Sequence, residues 1–316
     1  MIFSREHLQQ LAESTGFQMT SLEKQMHLLH ILREIRRHPY LQDQFALKGG
    51  TAINVYIQSL PRLSVDIDLN FVGAVAVEEM RAERPRIEKA LQRTLKAQGY
   101  TVKRIPEEHA GGKWRLQASS AFGGTFALEL DINYMYRVPL GAVQYKSPAV
   151  LDEDYRVPFP IVSMEELYAG KILALLDRGA ARDLYDVFRA VTERLISSDS
   201  LLKPLILFLG IAQRSDWREV TSRAPYEISD TQVEAELIPM LRQEESFHLK
   251  KAQEIVAPFL QDLLDYSPAA EMCIQQFLDQ GELKPEGVIK DPDMIADLKK
   301  HPAIRWKLQN VRQYLG

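Results

Sequence analysis

The sequence predicts an α+β fold, with a mixed first half built on a sheet and a second half that is helical almost throughout. Two observations carry this. Residues 64–71 and 124–134 alternate apolar and polar side chains with the period of two that marks a half-buried strand. From Ser163 onward apolar residues recur at helical spacing, and proline and glycine set the breaks.

Residues 4–46 read as helical. Leu8 and Leu11, then Leu22, Met26, Leu29, Leu32 and Ile35, recur near helical spacing, with a break at Gly16-Phe17 and a stop at Pro39. Gly49-Gly50 then opens a short helix over 51–59, which Pro61 ends. In 64–71, Val65, Ile67, Leu69 and Phe71 take one face; Asp66, Asp68 and Asn70 take the other. A charged helix spans 76–98 and stops at Gly99. Strands are expected at 100–104, 113–119 and 124–134, the last two joined by a turn near Phe122-Gly123-Gly124. In the third, Glu129, Asp131 and Asn133 share the polar face. A proline- and acid-rich loop fills 139–160. Ser163 and Glu166 have the spacing of a capping box and start a helix to about Leu176; another runs from about 181 to Leu195. The remainder is helical, with breaks at Pro225, Pro239, Pro268 and 281–292. Domains 1–196 and 197–316 are expected, with the polar cluster Ser197, Ser198, Asp199 and Ser200 at the junction.

Composition sets the outer bounds. A formal net charge of -4 argues against a histone-like polyanion binder, though not against local basic clusters. Such clusters are Arg33, Arg36, Arg37 and His38; Arg81, Arg84 and Arg86; and Lys299, Lys300 and His301. The single cysteine, Cys273, excludes an intrachain disulfide. No apolar run approaches the roughly 18 residues a membrane helix needs. The charged, amphipathic start lacks a signal-peptide core. The expectation is a cytoplasmic protein without a membrane partner.

The chemistry centres on 47–71. Asp66 and Asp68, spaced i and i+2 on a strand, project from the same face. Hard cations such as Mg2+ take oxygen ligands, often one or two carboxylates plus substrate phosphates. Gly49 and Gly50 let backbone approach a ligand closely, and helix-start N–H groups attract phosphate. Lys48 adjoins them. If the strand bearing Asp131 neighbours that of Asp66, the three carboxylates cluster. The bland alternative for each is the solvated face of an edge strand. Lys171 stands in an apolar stripe among Leu167, Tyr168, Ala174 and Leu175. Its ammonium either snorkels to solvent or meets a buried anion. Asp183 and Asp186 lie one helical turn apart; Asp183 suits a helix N-terminus, and Asp186 has Arg182 and Arg189 as ion-pair candidates.

The ordered set KGGTA, RLSVDIDL, ELDI, EELYAGK and RDLYD, over residues 45–190, resembles the AbiEii/AbiGii toxin family. These are nucleotidyltransferases of type IV toxin–antitoxin, abortive-infection systems, within the DNA polymerase β-like superfamily. The resemblance implies a mixed-sheet nucleotidyltransferase domain over 1–196, with N-terminal helices, and a helical domain over 197–316. It implies Mg2+, with Mn2+ as an alternative, an NTP substrate, and transfer of a nucleoside monophosphate with release of pyrophosphate. Characterised relatives modify the 3′ acceptor end of tRNA and block translation, as a phage defence. By this resemblance Asp66, Asp68 and Asp131 hold metal, and Asp66 or Asp68 helps deprotonate the acceptor hydroxyl. Lys48, Gly49, Gly50, Thr51, Arg62, Ser64, Lys171, Arg182 and Asp186 bind nucleotide, and Asp183 orients base, sugar or acceptor. Gly50 stands where many members have serine, which removes a hydroxyl from the phosphate turn. Partners would be an RNA acceptor, tRNA foremost, and a separately encoded antitoxin. The competing readings are a protein or small-molecule acceptor, or a non-catalytic nucleotide-binding module.

Overall fold

The computed structural model describes residues 3–149, 151–198, 201–213 and 216–315. Asp199 and Ser200 of the expected polar junction lie outside them. The chain divides into two compact units. One comprises Met1–Arg137, Val143–Val162 and Pro239–Ser246; the other comprises Val138–Ala142, Ser163–Ile238 and Phe247–Gly316.

The first unit opens with α1 (Arg5–Thr15) and α2 (Met19–Arg37), separated at Gly16-Phe17 as the sequence predicts. Ser4 caps α1 by accepting from the His7 backbone N–H at 3.1 Å. Helix α2 buries His27 and His30 with Phe3, Tyr100 and Phe126 in one aromatic cluster. His27 Nδ1 lies 2.9 Å from the Tyr100 hydroxyl. Burial, then the neighbouring His30, pushes His27 down to about 4 from its ordinary 6.5. Below pH 6.5 the unfolded chain therefore binds a proton that the folded one refuses. This group is expected to remove on the order of 3 kcal/mol of stability as pH falls from 6.5 to 4. Chemical denaturation of His27→Gln across that range should show a flatter profile than the native chain.

The sheet belongs wholly to this unit. Its strands are β1 (Phe45–Lys48), β2 (Asp66–Phe71), β3 (Thr101–Arg104), β4 (Gly111–Ser119), β5 (Thr125–Asn133), β6 (Gln144–Lys146) and β7 (Phe159–Ile161). They lie in the order β3-β4-β5-β2-β1-β7-β6. β2 pairs parallel to β5 and β1 parallel to β7; the other neighbours are antiparallel. One face is apolar: Phe45, Leu47, Ile67, Leu69, Phe71, Trp114, Leu116, Leu128, Leu130 and Ile132 are all buried. Between β1 and β2 the chain forms α3 (Gly49–Thr51), which widens into a π-helical turn over Ala52–Ile57. Helix α4 (Val77–Ala97) buries Met80, Ile87, Leu91 and Leu95 on one stripe.

Three strands depart from the expected reading. The first half of Phe45–Lys48 falls at the end of the expected helical segment 4–46, β6 falls inside the expected loop 139–160, and β7 straddles the end of that loop. Each has only three or four residues, too few to display a period; register with neighbours makes them strands.

The second unit is helical: α5 (Met164–Arg178), α6 (Ala181–Thr192), α7 (Leu202–Ile211), the single turn α8 (Asp230–Gln232), α9 (Leu249–Leu264), α10 (Pro268–Gln280), α11 (Pro292–Lys300) and α12 (Pro302–Leu315). Pro268, Pro292 and Pro302 open their helices, where a missing N–H loses no bond. Ser163 caps α5 by accepting from Glu166 N at 3.2 Å. Glu166 does not complete the expected box: its carboxylate accepts from Leu140 N at 2.7 Å instead. Helix α5 packs on α7, α6 on α9, and α10 on α12. Among the described residues no helix is long and apolar enough to cross a membrane.

Candidate active site

Strand register assembles the carboxylates. Lys48 on β1 faces Asp68 on β2, Asp68 faces Asp131 on β5, and Asp131 faces Lys113 on β4. Directly paired residues share a sheet face, so the four form one row, Lys48–Asp68–Asp131–Lys113. Two residues along, Asp66 faces Glu129 and Glu129 faces Arg115. Two residues the other way, Asn70 faces Asn133. The polar sides of β2 and β5 are thus one continuous surface.

Charge spacing follows from this arrangement. Burial pushes the Asp131 carboxyl up; Asp68 and Glu129 add to it, against the opposing pull of Lys48 and Lys113. Lys113 Nζ donates to Glu129 at 2.7 Å, and this bond, with Asp66 and Asp131 nearby, pushes the ammonium up. Lys48 Nζ lies 5.5 Å from the centre of the Tyr136 ring.

The Gly49-Gly50 turn lies against this row. Gly49 has φ +72, and a Cβ there would stand 2.0 Å from Asp68 Oδ2. A Cβ on Gly50 would meet Arg62 Nη2 and Ser64 Oγ, each at 3.1 Å. Glycine is required at 49 on two counts, backbone conformation and room for the carboxylate. Thr51 Oγ1 donates to Asp66 O at 2.6 Å, and Asn54 Nδ2 donates to Gly50 O at 2.9 Å. These bonds lock the helix start to β2. Gly49→Ala is expected to lose about 1 kcal/mol from the αL conformation alone. The displaced Asp68 should lower activity further, by at least tenfold, as a melting curve and an initial rate measured together will show.

Arg62 and Ser64 are both buried beside the turn. Arg62 is 2% exposed and donates from Nη1 to Leu63 O at 2.8 Å. Ser64 N donates to Gln25 Oε1 at 2.8 Å, and Leu63 N to Met240 O at 2.8 Å. Both side chains brace Gly50 from its Cβ side.

A second cluster is built wholly within the helical unit. Lys171 is 7% exposed, so its ammonium meets a buried anion rather than snorkelling. That anion is protein: Nζ lies 2.8 Å from Asp183 Oδ1 and 3.0 Å from Asp186 Oδ2. Arg178 adds Nε to Asp183 Oδ2 at 2.7 Å and Nη2 to Oδ1 at 3.1 Å. Burial pushes Asp183 up, but Lys171 and Arg178 outweigh it and hold the carboxyl down at about 2. Asp183 thus does more than favour a helix N-terminus, and Asp186 reaches Lys171. Arg189 is paired with Glu193. Arg182 is half-buried, beside Asp183 on α6.

Lys113 and Arg115 were not among the expected site residues. Their alternation on β4 reads as an ordinary solvated face, and only the register with Asp131 and Glu129 sets them apart. Of the basic clusters, Arg84 bonds Glu88 at 2.7 Å and the Glu108 carbonyl at 2.9 Å, Arg33 stacks on Tyr155, and His301 is buried.

Among the described residues no three His, Cys, Asp or Glu side chains gather into a group that holds an ion by itself. The row supplies two neighbouring carboxylates, Asp68 and Asp131, with Asp66 further along the same face. Burial is the main cause of the upward push on Asp131, and a buried carboxylate of this kind gains from a bound cation. That donor set fits a hard dication that takes two protein carboxylates and completes its shell from substrate phosphates and water.

The sequence profile described as "Nucleotidyl transferase AbiEii toxin, Type IV TA system" matches residues 30–309. No curated protein matches the sequence. The fold is similar to MenT4, a nucleotidyltransferase toxin from Mycobacterium tuberculosis H37Rv, with 15% identity, TM-score 0.64 and 99% of each chain covered. A chain from the CdnC:HORMA-deltaN complex of E. coli MS115-1 aligns at 10% identity and TM-score 0.26, over 95% of this chain and 97% of its own. That likeness is too loose to bear on the fold.

Proposed function

The chain belongs to the AbiEii family of nucleotidyltransferase toxins from type IV toxin–antitoxin systems, and on that premise we propose how its residues do the work. It transfers a nucleoside monophosphate from an NTP to the 3′ acceptor end of a tRNA, in the presence of Mg2+ or Mn2+. The modified tRNA is no longer aminoacylated and translation stops. An antitoxin partner is expected from the family, and phage defence is the physiological setting we assign.

The observation that carries this reading is the Lys48–Asp68–Asp131–Lys113 row against the Gly49-Gly50 turn. Asp68 and Asp131, with Asp66, are the carboxylates that would hold the dication. When bound, the ion would neutralise charge on the triphosphate and lower the pKa of an attacking hydroxyl. The chain's own groups supply the remainder. The open backbone of Gly49 and Gly50 leaves room for phosphate oxygens, to which the N–H groups at the start of α3 donate. Lys48 adds a cation beside them. Asp66 or Asp68 takes the proton from the acceptor hydroxyl, whose oxygen attacks the α-phosphorus as pyrophosphate leaves. Thr51 holds the turn through Asp66 O, and Arg62 and Ser64 brace it from behind. A phosphate-binding role for Lys171, with Arg182 and Asp186, and an orienting role for Asp183, follow the family pattern. A catalytic region over 1–196 and a helical region over 197–316 remain our functional division, distinct from the two compact units.

The test is incubation with each α-labelled NTP, Mg2+ and total RNA. Label on tRNA that vanishes in Asp66→Asn supports the proposal. Label on protein or on a small molecule would replace the acceptor; no label with any acceptor would leave a binding module.

A further inference from the structure

The basic side of the carboxylate row has a feature that ordinary sheet design avoids. Arg104 on β3 faces Arg115 on β4, two like charges directly opposite each other. Such a pair is destabilising on a strand surface. Both side chains are exposed, at 51% and 61%. The β3–β4 register shifts between Val102 and Arg104. Bulges of this kind re-aim side chains and are enriched beside active sites. Lys113 lies two residues from Arg115 on the same face of β4, directly opposite Asp131. Three exposed cations thus lead outward from the carboxylates. The available counter-charges are Glu129, which takes Lys113 at 2.7 Å and Arg115 at 4.0 Å, and Glu108, which takes Arg104 at 2.9 Å.

Lys48 and the glycine turn stand at the β1 end of the row; Lys113, Arg115 and Arg104 stand at the β4–β3 end. The row is therefore polar in function, with phosphate-binding backbone on one side of Asp68–Asp131 and side-chain cations on the other.

We propose that the exposed β4–β3 face is the docking surface for the phosphodiester backbone of the acceptor strand, with Lys113 nearest the transfer point and the Arg104–Arg115 pair holding the next phosphate outward. This rests on the reading that the acceptor is a polynucleotide. A phosphate between the two arginines turns their mutual repulsion into two charge-assisted bonds. Each arginine already has one glutamate beside it, and a phosphate between the two would give both a shared anion.

The test uses the full chain and its Arg104→Gln/Arg115→Gln variant, with a labelled single-stranded RNA and, separately, an NTP. The expected result is at least a tenfold loss of RNA affinity. The slope of log affinity against log salt should become shallower by about 0.7 per lost phosphate contact. NTP affinity should hold, and the melting temperature should be unchanged or raised, because a like-charge pair has gone. Unchanged RNA affinity and slope would overturn the proposal, as would loss of NTP affinity with RNA binding intact, which would make the pair a triphosphate site. If the native chain transfers label to protein or a small molecule and binds no RNA, the polynucleotide reading has failed and the docking surface with it. A lower melting temperature together with equal losses for RNA and NTP would reduce the pair to a structural role.

Discussion

Asp68→Asn is expected to lower nucleotide transfer by about 10³-fold, or about 4 kcal/mol of transition-state stabilisation. The fold should survive. Asparagine has nearly the same shape, so the close fit against Gly49 is kept. Removing the charge also relieves Asp131, whose carboxyl Asp68 helps to push up. The melting temperature should therefore hold or rise while the rate collapses. A variant that stayed active would remove Asp68 from the chemistry; one that unfolded would make its charge structural.

Lys171→Met should have the largest effect on stability. The change leaves Asp183 and Asp186, 1% and 0% exposed, without the ammonium they share. Breaking a buried pair from one side costs about 3–5 kcal/mol, which lowers the melting temperature by roughly 10 °C. Asp183 adds a pH signature. Its carboxyl sits at about 2 in the folded chain against an ordinary 3.8. The stability it contributes is present above pH 4 and lost as pH falls towards 2, on the order of 2 kcal/mol in all. In Lys171→Met the acid limb should move to higher pH. A variant with native melting temperature and an unshifted acid limb would mean the three side chains are not coupled. This cluster also changes what inactivity of a Lys171 variant means. Lost toxicity alone does not identify a phosphate ligand, because the same change loosens α5 from α6. Folded protein, checked at the assay temperature, is the necessary control.

Much of the site was legible in the sequence. Alternation over 64–71 placed Asp66 and Asp68 on one face, and alternation over 124–134 did the same for Glu129 and Asp131. The apolar stripe around Lys171 correctly turned that lysine inward. The pairing of those pieces was not legible. β2 and β5 run parallel across more than fifty residues of intervening chain, and no local pattern encodes that register. β1 was hidden for a similar reason: Phe45–Lys48 is too short to show a period, yet it seats Lys48 opposite Asp68. Lys113 and Arg115 carried no signal at all, since solvated strands everywhere alternate in that way. For Asp186, the i−4 and i+3 arginines on its own helix were the candidates that spacing offered, and the contact with Lys171 on the preceding helix was not among them. Helical neighbours are the only contacts that spacing reveals.

Asp131 offers the most direct test of the account, because register alone brings it beside Asp68. The measurement is label transferred from an α-labelled NTP, together with pyrophosphate released, for the native chain and Asp131→Asn. The account predicts one pyrophosphate per label in the native chain, with both falling together by at least a hundredfold in the variant. Native rates of both in Asp131→Asn would contradict it.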